Sequence, residues 1–266
     1  MYLGVDIGSS SSKAAVIDKN KKLIATSVVN MGTGTKGPEE AVNNVLSALG
    51  ISKKDIKYTI VTGYGRITFK EANNQITEIS CHAKGVSYLM SNVSTIIDIG
   101  GQDAKVIKID EDGKVKNFVM NEKCAAGTGR FLEVMARVLG CGIGELSNLA
   151  DKATNDIAIS SVCTVFAESE VISRLSSGVS VEDVARGAHL SIAKRIVGMC
   201  NRIGYEPVIA MTGGVALNSN MVKILGEELG HSVTACPNSQ SVGSIGAAIF
   251  AYEKLNQLKD LHNQCK

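Results

Sequence analysis

Two stretches of this chain place donors where phosphate oxygens would sit. Gly8-Ser9-Ser10-Ser11-Ser12-Lys13 combines a glycine with four hydroxyls and one ammonium. The glycine lets a ligand approach the backbone, and the rest is a donor set suited to phosphate. Asp6, just ahead, makes electrostatic sense beside phosphate only with a cation between them, most simply Mg²⁺ through its waters. The segment is not a Walker loop, because G-x-x-x-x-G-K-[ST] is absent. Taken alone, it also reads as a serine-rich surface turn. The second stretch, Asp98-Ile99-Gly100-Gly101-Gln102-Asp103, offers two glycines, an amide side chain and two acids. Gln102 is placed to hydrogen-bond phosphate or to orient an attacking water, since positioning and charge neutralisation supply most of the catalysis in phosphoryl transfer. Asp6, Asp98 and Gln102 are therefore the candidate catalytic residues, and Gly8 to Lys13, Gly100 and Gly101 the candidate phosphate contacts. In a third element, Met211-Thr212-Gly213-Gly214-Val215, Gly213 and Gly214 would let backbone close on ribose and base. A fourth, Ser241-Val242-Gly243-Ser244-Ile245-Gly246-Ala247-Ala248, reads as a helix whose small residues permit close contact with another helix, at a hinge or in ordinary packing.

Two thiols stand in contexts that could do redox or metal chemistry. Cys124, in Lys123-Cys124-Ala125-Ala126-Gly127-Thr128-Gly129-Arg130-Phe131, and Cys163, in Cys163-Thr164-Val165-Phe166-Ala167-Glu168-Ser169-Glu170, each sit just ahead of an expected helix. The positive end of a helix dipole eases thiol ionisation, and the thiolate is the form that ligates metal. Two thiolates are half of what an iron–sulfur cluster takes, and a twofold dimer would supply the other half. A free cysteine is also a small hydrophobe. The residues alone leave both readings open. The hydrophobe reading applies by default to Cys81, Cys141, Cys200, Cys236 and Cys265.

The elements that must position these groups occur twice. Residues 5–23 and 97–115 align without a gap, so that Asp6, Ile7, Gly8, Lys13, Ile17, Asp18 and Lys22 fall on Asp98, Ile99, Gly100, Lys105, Ile109, Asp110 and Lys114. Each copy reads as strand, tight turn, strand, polar turn, strand. Helices are expected from Gly37-Pro38 through Leu49 and over 131–139, 165–175, 181–203, 215–229 and 242–258. Short strands are expected over 57–61, 208–211 and 233–235. Interleaved strands and helices make the class α/β. The expected lobes are 1–92 and 93–244, with the C-terminal helix, about 245–266, packing back on the first.

Composition bounds the function. The 266 residues are 44% hydrophobic and 20% charged, enough apolar content for a substantial core. A formal charge of +2 and only 4% aromatics give neither a polyanion-attracting field nor a stacking platform, so no nucleic-acid partner is expected. Met1 leads into Tyr2-Leu3-Gly4-Val5 with no leader pattern and no spanning run, so no membrane association is expected and the chain is expected to be cytoplasmic. Seven cysteines without a CxxC pair disfavour a disulfide framework and a zinc ribbon.

Two Asp-Gly hairpins, a Thr-Gly-Gly turn and a small-residue helix, in this order across the whole chain, resemble the superfamily of actin, sugar and acetate kinases and the large heat-shock chaperones. The resemblance implies two duplicated ribonuclease-H-like lobes with ATP or ADP in the cleft between them. Within it, Asp-Ile-Gly-Gly-Gln-Asp and the two cysteine motifs look like those of the activators of (R)-2-hydroxyacyl-CoA dehydratases, all three intact here. This family resemblance implies a homodimeric, oxygen-sensitive ATPase whose dimer shares one [4Fe–4S] cluster, with Cys124 and Cys163 as ligands. It implies nucleotide contacts at Ser9 to Lys13, Gln102, Gly213, Gly214 and Gln240. Reduced ferredoxin or flavodoxin would load one electron, and ATP hydrolysis would gate its passage to a separate dehydratase. The alternatives are a small-molecule kinase of the same fold with Asp103 as base, the ATPase subunit of a benzoyl-CoA reductase-type enzyme, and a non-catalytic actin-like scaffold.

Overall fold

The computed structural model describes residues 1–159 and 163–264; Cys265 and the end of the expected C-terminal helix lie outside them. The chain forms two compact units. One comprises residues 1–92, 110–115 and 240–266, the other 93–109 and 116–239.

The first unit is built on a five-stranded sheet. Its strands are β1 (Tyr2–Ile7), β2 (Ser12–Ile17), β3 (Leu23–Val29), β4 (Tyr58–Thr62) and β5 (Asn74–Gln75), in the order β3-β2-β1-β4-β5. β1 pairs antiparallel with β2 and parallel with β4. Every residue of β1 is buried, because the sheet is covered on both faces, as strands of near-continuous apolar character require. One face meets α1 (Gly37–Leu49) through Ala41, Val42, Val45 and Leu46. Burying each of the Val and Leu side chains contributes about 1.5–3 kcal/mol. Pro38 sits in the first turn of α1, where its missing N–H costs nothing, and Gly50 ends the helix in the left-handed conformation.

The other face meets α8 (Val242–Gln264), through Ile245, Ala247, Ala248 and Ile249. α8 in turn packs on α2 (Glu78–Leu89), a helix absent from the sequence-based expectations. Here the small residues of α8 find their purpose. A β-carbon on Gly4 of β1 would lie 2.0 Å from the Ser244 carbonyl oxygen, one on Gly246 would lie 1.8 Å from that of Cys81, and one on Gly85 would lie 2.2 Å from that of Val242. Backbone touches backbone at each of these points.

The second unit repeats the plan. Its strands are β6 (Thr95–Ile99), β7 (Ala104–Ile109), β8 (Val115–Asn121), β9 (Ile209–Thr212) and β10 (Val233–Ala235), in the order β10-β9-β6-β7-β8. β6 pairs antiparallel with β7 and parallel with β9. Its helices are α3 (Gly129–Val138), α4 (Leu146–Asp151), α5 (Thr164–Ser176), α6 (Val181–Ile203) and α7 (Ser219–Leu229). α6 is the centre of the core, with Val184, Ala188, Ile192, Ala193 and Ile196 fully buried. The expected helix over 215–229 is two elements. A 3₁₀ turn, Gly214–Leu217, ends at Asn218, whose side chain caps α7 by accepting from the Met221 N–H at 2.9 Å. The cap outcompetes continuation of the apolar stripe.

Asp183, in the first turn of α6, anchors the segment that leads toward Cys163. Its carboxylate accepts from Asn155 Nδ2 at 3.0 Å and from the Thr154 and Asn155 N–H groups at 2.8 and 2.9 Å. These bonds, the Asn155 side chain first, hold its carboxyl down at about 2. The stabilisation is therefore complete above the unfolded carboxylate value, about 4, and is lost as pH falls through about 2. Melting curves of Asp183→Ala and the parent should differ by a constant amount above about pH 5, draw together as pH falls below about 4, and meet near pH 2. A gap that persists unchanged at low pH would contradict the assignment.

Candidate functional site

In the first unit the β1–β2 turn is closed by the Gly8 N–H donating to the Ser11 carbonyl at 3.0 Å. Cross-strand register sets Asp6 opposite Lys13, and Lys13 Nζ lies 3.7 Å from Asp6 Oδ2. Ser9, Ser10, Ser11 and Lys13 are partly exposed. Ser12 is fully buried and donates its hydroxyl proton to the Met31 carbonyl at 2.7 Å. The side-chain donors that this turn leaves to solvent are thus those of Ser9, Ser10, Ser11 and Lys13. The turn is braced from behind: the Thr33 N–H donates to Gly8 O at 2.9 Å, and a β-carbon on Gly32 would lie 2.0 Å from Ser9 O.

β4 adds what the sequence reading passed over. Thr62 stands opposite Asp6 in the parallel ladder, followed by Gly63 at φ +90°, where a β-carbon would lie 2.5 Å from Asp6 Oδ1. From α8, a β-carbon on Gly243 would lie 2.9 Å from Asp6 Oδ2 and 3.1 Å from His82 Nε2. Asp6 is 6% exposed, so its carboxylate is fitted into a backbone-lined slot. Gln240, half-buried, precedes α8.

The second unit repeats this arrangement. Asp98 faces Lys105 across β6–β7 and Thr212 across β6–β9, and Gly213 follows at φ +86°, with room for no β-carbon beside Ile99 O at 2.3 Å. The Thr212 hydroxyl donates to Asp98 Oδ1 at 2.8 Å. The duplication thus extends to Thr62-Gly63 and Thr212-Gly213, a matched Thr-Gly pair that is visible in the sequence once the third strand is included.

The two copies differ in charge. Lys105 is 2% exposed and ion-paired both to Asp98 Oδ2 at 3.2 Å and to Asp103. Ser11 occupies the position that aligns with Asp103. One lysine is therefore consumed by two carboxylates, while its counterpart, Lys13, remains partly exposed beside one. Gln102 and Gly214 are exposed, and Gly100, Gly101 and Gly213 partly so.

Exposure separates the cysteines. Burial pushes the thiols of Cys81, Cys200 and Cys236 up to about 12, and raises that of Cys141. Cys124 is half-buried in the loop between β8 and α3, its carbonyl accepting from Asn121 Nδ2 at 3.0 Å. Cys163 is exposed at the N-cap of α5. α3 and α5 pack on each other, so the two thiols precede neighbouring helices. Beside Cys163, Val165 and Phe166 are 67% and 69% exposed, an apolar surface on the first turn of α5. Among the described residues, no group of three or more His, Cys, Asp or Glu side chains could hold a metal ion. Nor is any helix among them long and apolar enough to cross a membrane.

Residues 3–251 match the BadF/BadG/BcrA/BcrD ATPase family. The chain is 52% identical over 254 residues to the activator of lactoyl-CoA dehydratase of Anaerotignum propionicum, covering 95% of this chain and 98% of that one. It is 48% identical over 253 residues to the (R)-2-hydroxyglutaryl-CoA dehydratase activating ATPase of Acidaminococcus fermentans, covering 95% and 97%. The structure of the activator of 2-hydroxyisocaproyl-CoA dehydratase from Clostridium difficile with bound ADPNP superposes with a TM-score of 0.94 at 43% identity, covering 98% of this chain and 97% of that one.

Proposed function

Because the chain belongs to the BadF/BadG/BcrA/BcrD ATPase family, we propose that it is an ATP-dependent activator of an (R)-2-hydroxyacyl-CoA dehydratase, acting in the cytoplasm. In this reading it accepts one electron from reduced ferredoxin or flavodoxin and delivers it to the dehydratase, with ATP hydrolysis as the gate. The relatives named as dehydratase activators span nearly the full chain at close to half identity, which supports the activity over a kinase or a scaffold.

The observation that carries the redox half is the contrast among the thiols. Among the described residues, Cys124, Cys141 and Cys163 are at least partly accessible, and of these Cys124 and Cys163 precede two mutually packed helices, whereas Cys81, Cys200 and Cys236 are sealed in cores. Thiolate donors suit an iron–sulfur cluster, and two per chain fit a [4Fe–4S] group shared by a homodimer. When bound, that group stores and releases one electron. The chain's own part is to present Cys163 at the N-cap of α5 and Cys124 in the loop that leads into α3. The apolar first turn of α5, with Val165 and Phe166 exposed, supplies a surface for the second copy.

For the ATPase half, Gly8 to Ser11 and Lys13 offer amides, hydroxyls and an ammonium to phosphate, with Ser12 bracing the turn from within. Asp6 and Asp98 are carboxylates that would orient the waters of Mg²⁺. Gln102, exposed at the tip of the second loop, would address the γ-phosphate or its attacking water. Gly213, Gly214 and Gln240 are assigned to the adenosine side. The lobes assigned to these roles are 1–92 with the C-terminal helix, and 93–244.

Purification under argon tests the assignment. The expected product is brown and contains about four irons per two chains, and oxygen bleaches it. A colourless, iron-free preparation that still activates a dehydratase would overturn the redox reading.

A further inference from the structure

Thr128 occupies the N-cap position of α3 in the extended conformation, φ −130° and ψ 173°, yet its side chain makes no capping hydrogen bond. An N-cap threonine ordinarily accepts from an amide of the first turn. Here the first two amides of the helix are taken by another loop, while the Phe131 N–H donates to Thr128 O at 3.1 Å. The Gly129 N–H donates to Gly100 O at 2.8 Å, and the Arg130 N–H donates to Gly101 O at 2.8 Å. The second Asp-Ile-Gly-Gly loop is itself the cap of α3. A β-carbon on Gly129 would lie 3.0 Å from Gly100 O and 3.4 Å from Gly101 Cα, so the helix end is pressed onto that loop.

The hydroxyl released from capping is fully buried. It lies 3.1 Å from Gly101 O and 2.6 Å from Ala125 O. One proton faces two carbonyl acceptors, one in the loop carrying Gln102 and one in the residue after Cys124. The thiol loop is also held by the Thr128 N–H, which donates to Ala125 O at 3.1 Å, and by Asn121 Nδ2, which donates to Cys124 O at 3.0 Å and to Ala126 O at 3.3 Å. At Gly127, φ is +91°, a conformation that glycine tolerates at no steric cost.

We propose that Thr128 is a positioning residue that reports the state of the Gly100–Gln102 loop to the backbone around Cys124. The proposal rests on the reading that this loop contacts nucleotide phosphate. The two acceptors make a two-state element. When Gly101 moves toward the hydroxyl, its carbonyl captures the proton, Ala125 O loses its shortest bond, and the segment around Cys124 loosens. Both ends of the element are biased by one hydrogen bond, which is the physical requirement for coupling two sites.

The test is the alkylation rate of Cys124 by iodoacetamide in the full chain stripped of iron, followed by peptide mass spectrometry with and without ADPNP. Because the readout is alkylation of the Cys124 side chain itself, it works whether or not the chain holds a cluster. Iron content, measured separately, reports on the cluster, and ADPNP affinity reports on the nucleotide reading. In the parent chain and in Thr128→Ser, ADPNP should raise the rate about fivefold or more, the low end of ordinary coupling between sites. In Thr128→Val the ratio should collapse to below about twofold at unchanged ADPNP affinity. A full response in Thr128→Val, no response in the parent, or a response lost only in proportion to affinity would overturn the proposal. If circular dichroism shows that Thr128→Val does not fold, Asn121→Ala decides. It should raise the rate without nucleotide and remove the further effect of ADPNP, and a rate like that of the parent would refute the coupling.

Discussion

Cys124→Ser should lose essentially all of its iron while still binding ADPNP with the affinity of the parent chain. The hydroxyl of serine stays protonated at neutral pH and is a poor substitute for a thiolate, so losing one ligand per chain removes two of the four that a bridging [4Fe–4S] group takes. The loop should survive the change. Cys124 is half-buried, and its carbonyl accepts from Asn121 Nδ2, a bond that the substitution leaves in place. The donors proposed to face phosphate belong to Ser9 to Ser11, Lys13 and Gln102, none of which is altered. Iron analysis and fluorescent-nucleotide titration on the same anaerobic preparation check both halves. Retention of a full complement of iron, or loss of nucleotide binding together with iron, would sink the assignment of Cys124 as a ligand.

The largest effect on stability is expected at Lys105, and the instructive comparison is with its duplicate, Lys13. Lys105→Met leaves Asp98, 3% exposed, and its neighbour Asp103 without the ammonium that neutralises them. Removing one partner of a buried ion pair costs about 3–5 kcal/mol, because the remaining charge stays desolvated. Lys13→Met removes a longer contact, 3.7 Å from Asp6 Oδ2, by a side chain that keeps access to solvent, and should cost clearly less than Lys105→Met. Its larger effect is expected on binding: if Lys13 faces phosphate as proposed, its loss should weaken nucleotide affinity about tenfold or more, equivalent to 1.4 kcal/mol or above. Urea unfolding and nucleotide titration of both variants give the readout. Equal stability losses at the two positions would refute the claim that the duplicated lysines have diverged in role.

The legible part of this molecule was local. Asp6 and Lys13, or Asp98 and Lys105, meet across a tight hairpin, so their pairing follows from alternation and a short turn. The helices with clear apolar stripes, α1, α3, α5 and α6, fall where 3.6-residue periodicity put them. α2 escaped because Gly85 and His82 interrupt its stripe, although Thr77, which accepts from the Ser80 N–H, is a readable start signal. The break between the 3₁₀ turn and α7 escaped because the apolar positions continue through Asn218, and only its side-chain bonds reveal the cap.

By its sequence alone, the chain determined two glycine turns rich in polar donors, their duplication, and two thiols set before helices, since each needs only neighbouring residues and backbone geometry. Tertiary structure decided which of those groups are free to act. Thr212 reaches Asp98 across 114 residues of chain, and Thr128 reaches Gly101 across 27. No local periodicity encodes either contact. Burial then separated Lys13 from Lys105, and Cys124 and Cys163 from Cys81, Cys200 and Cys236, because desolvation is a property of everything packed around a side chain and not of the residues beside it in sequence.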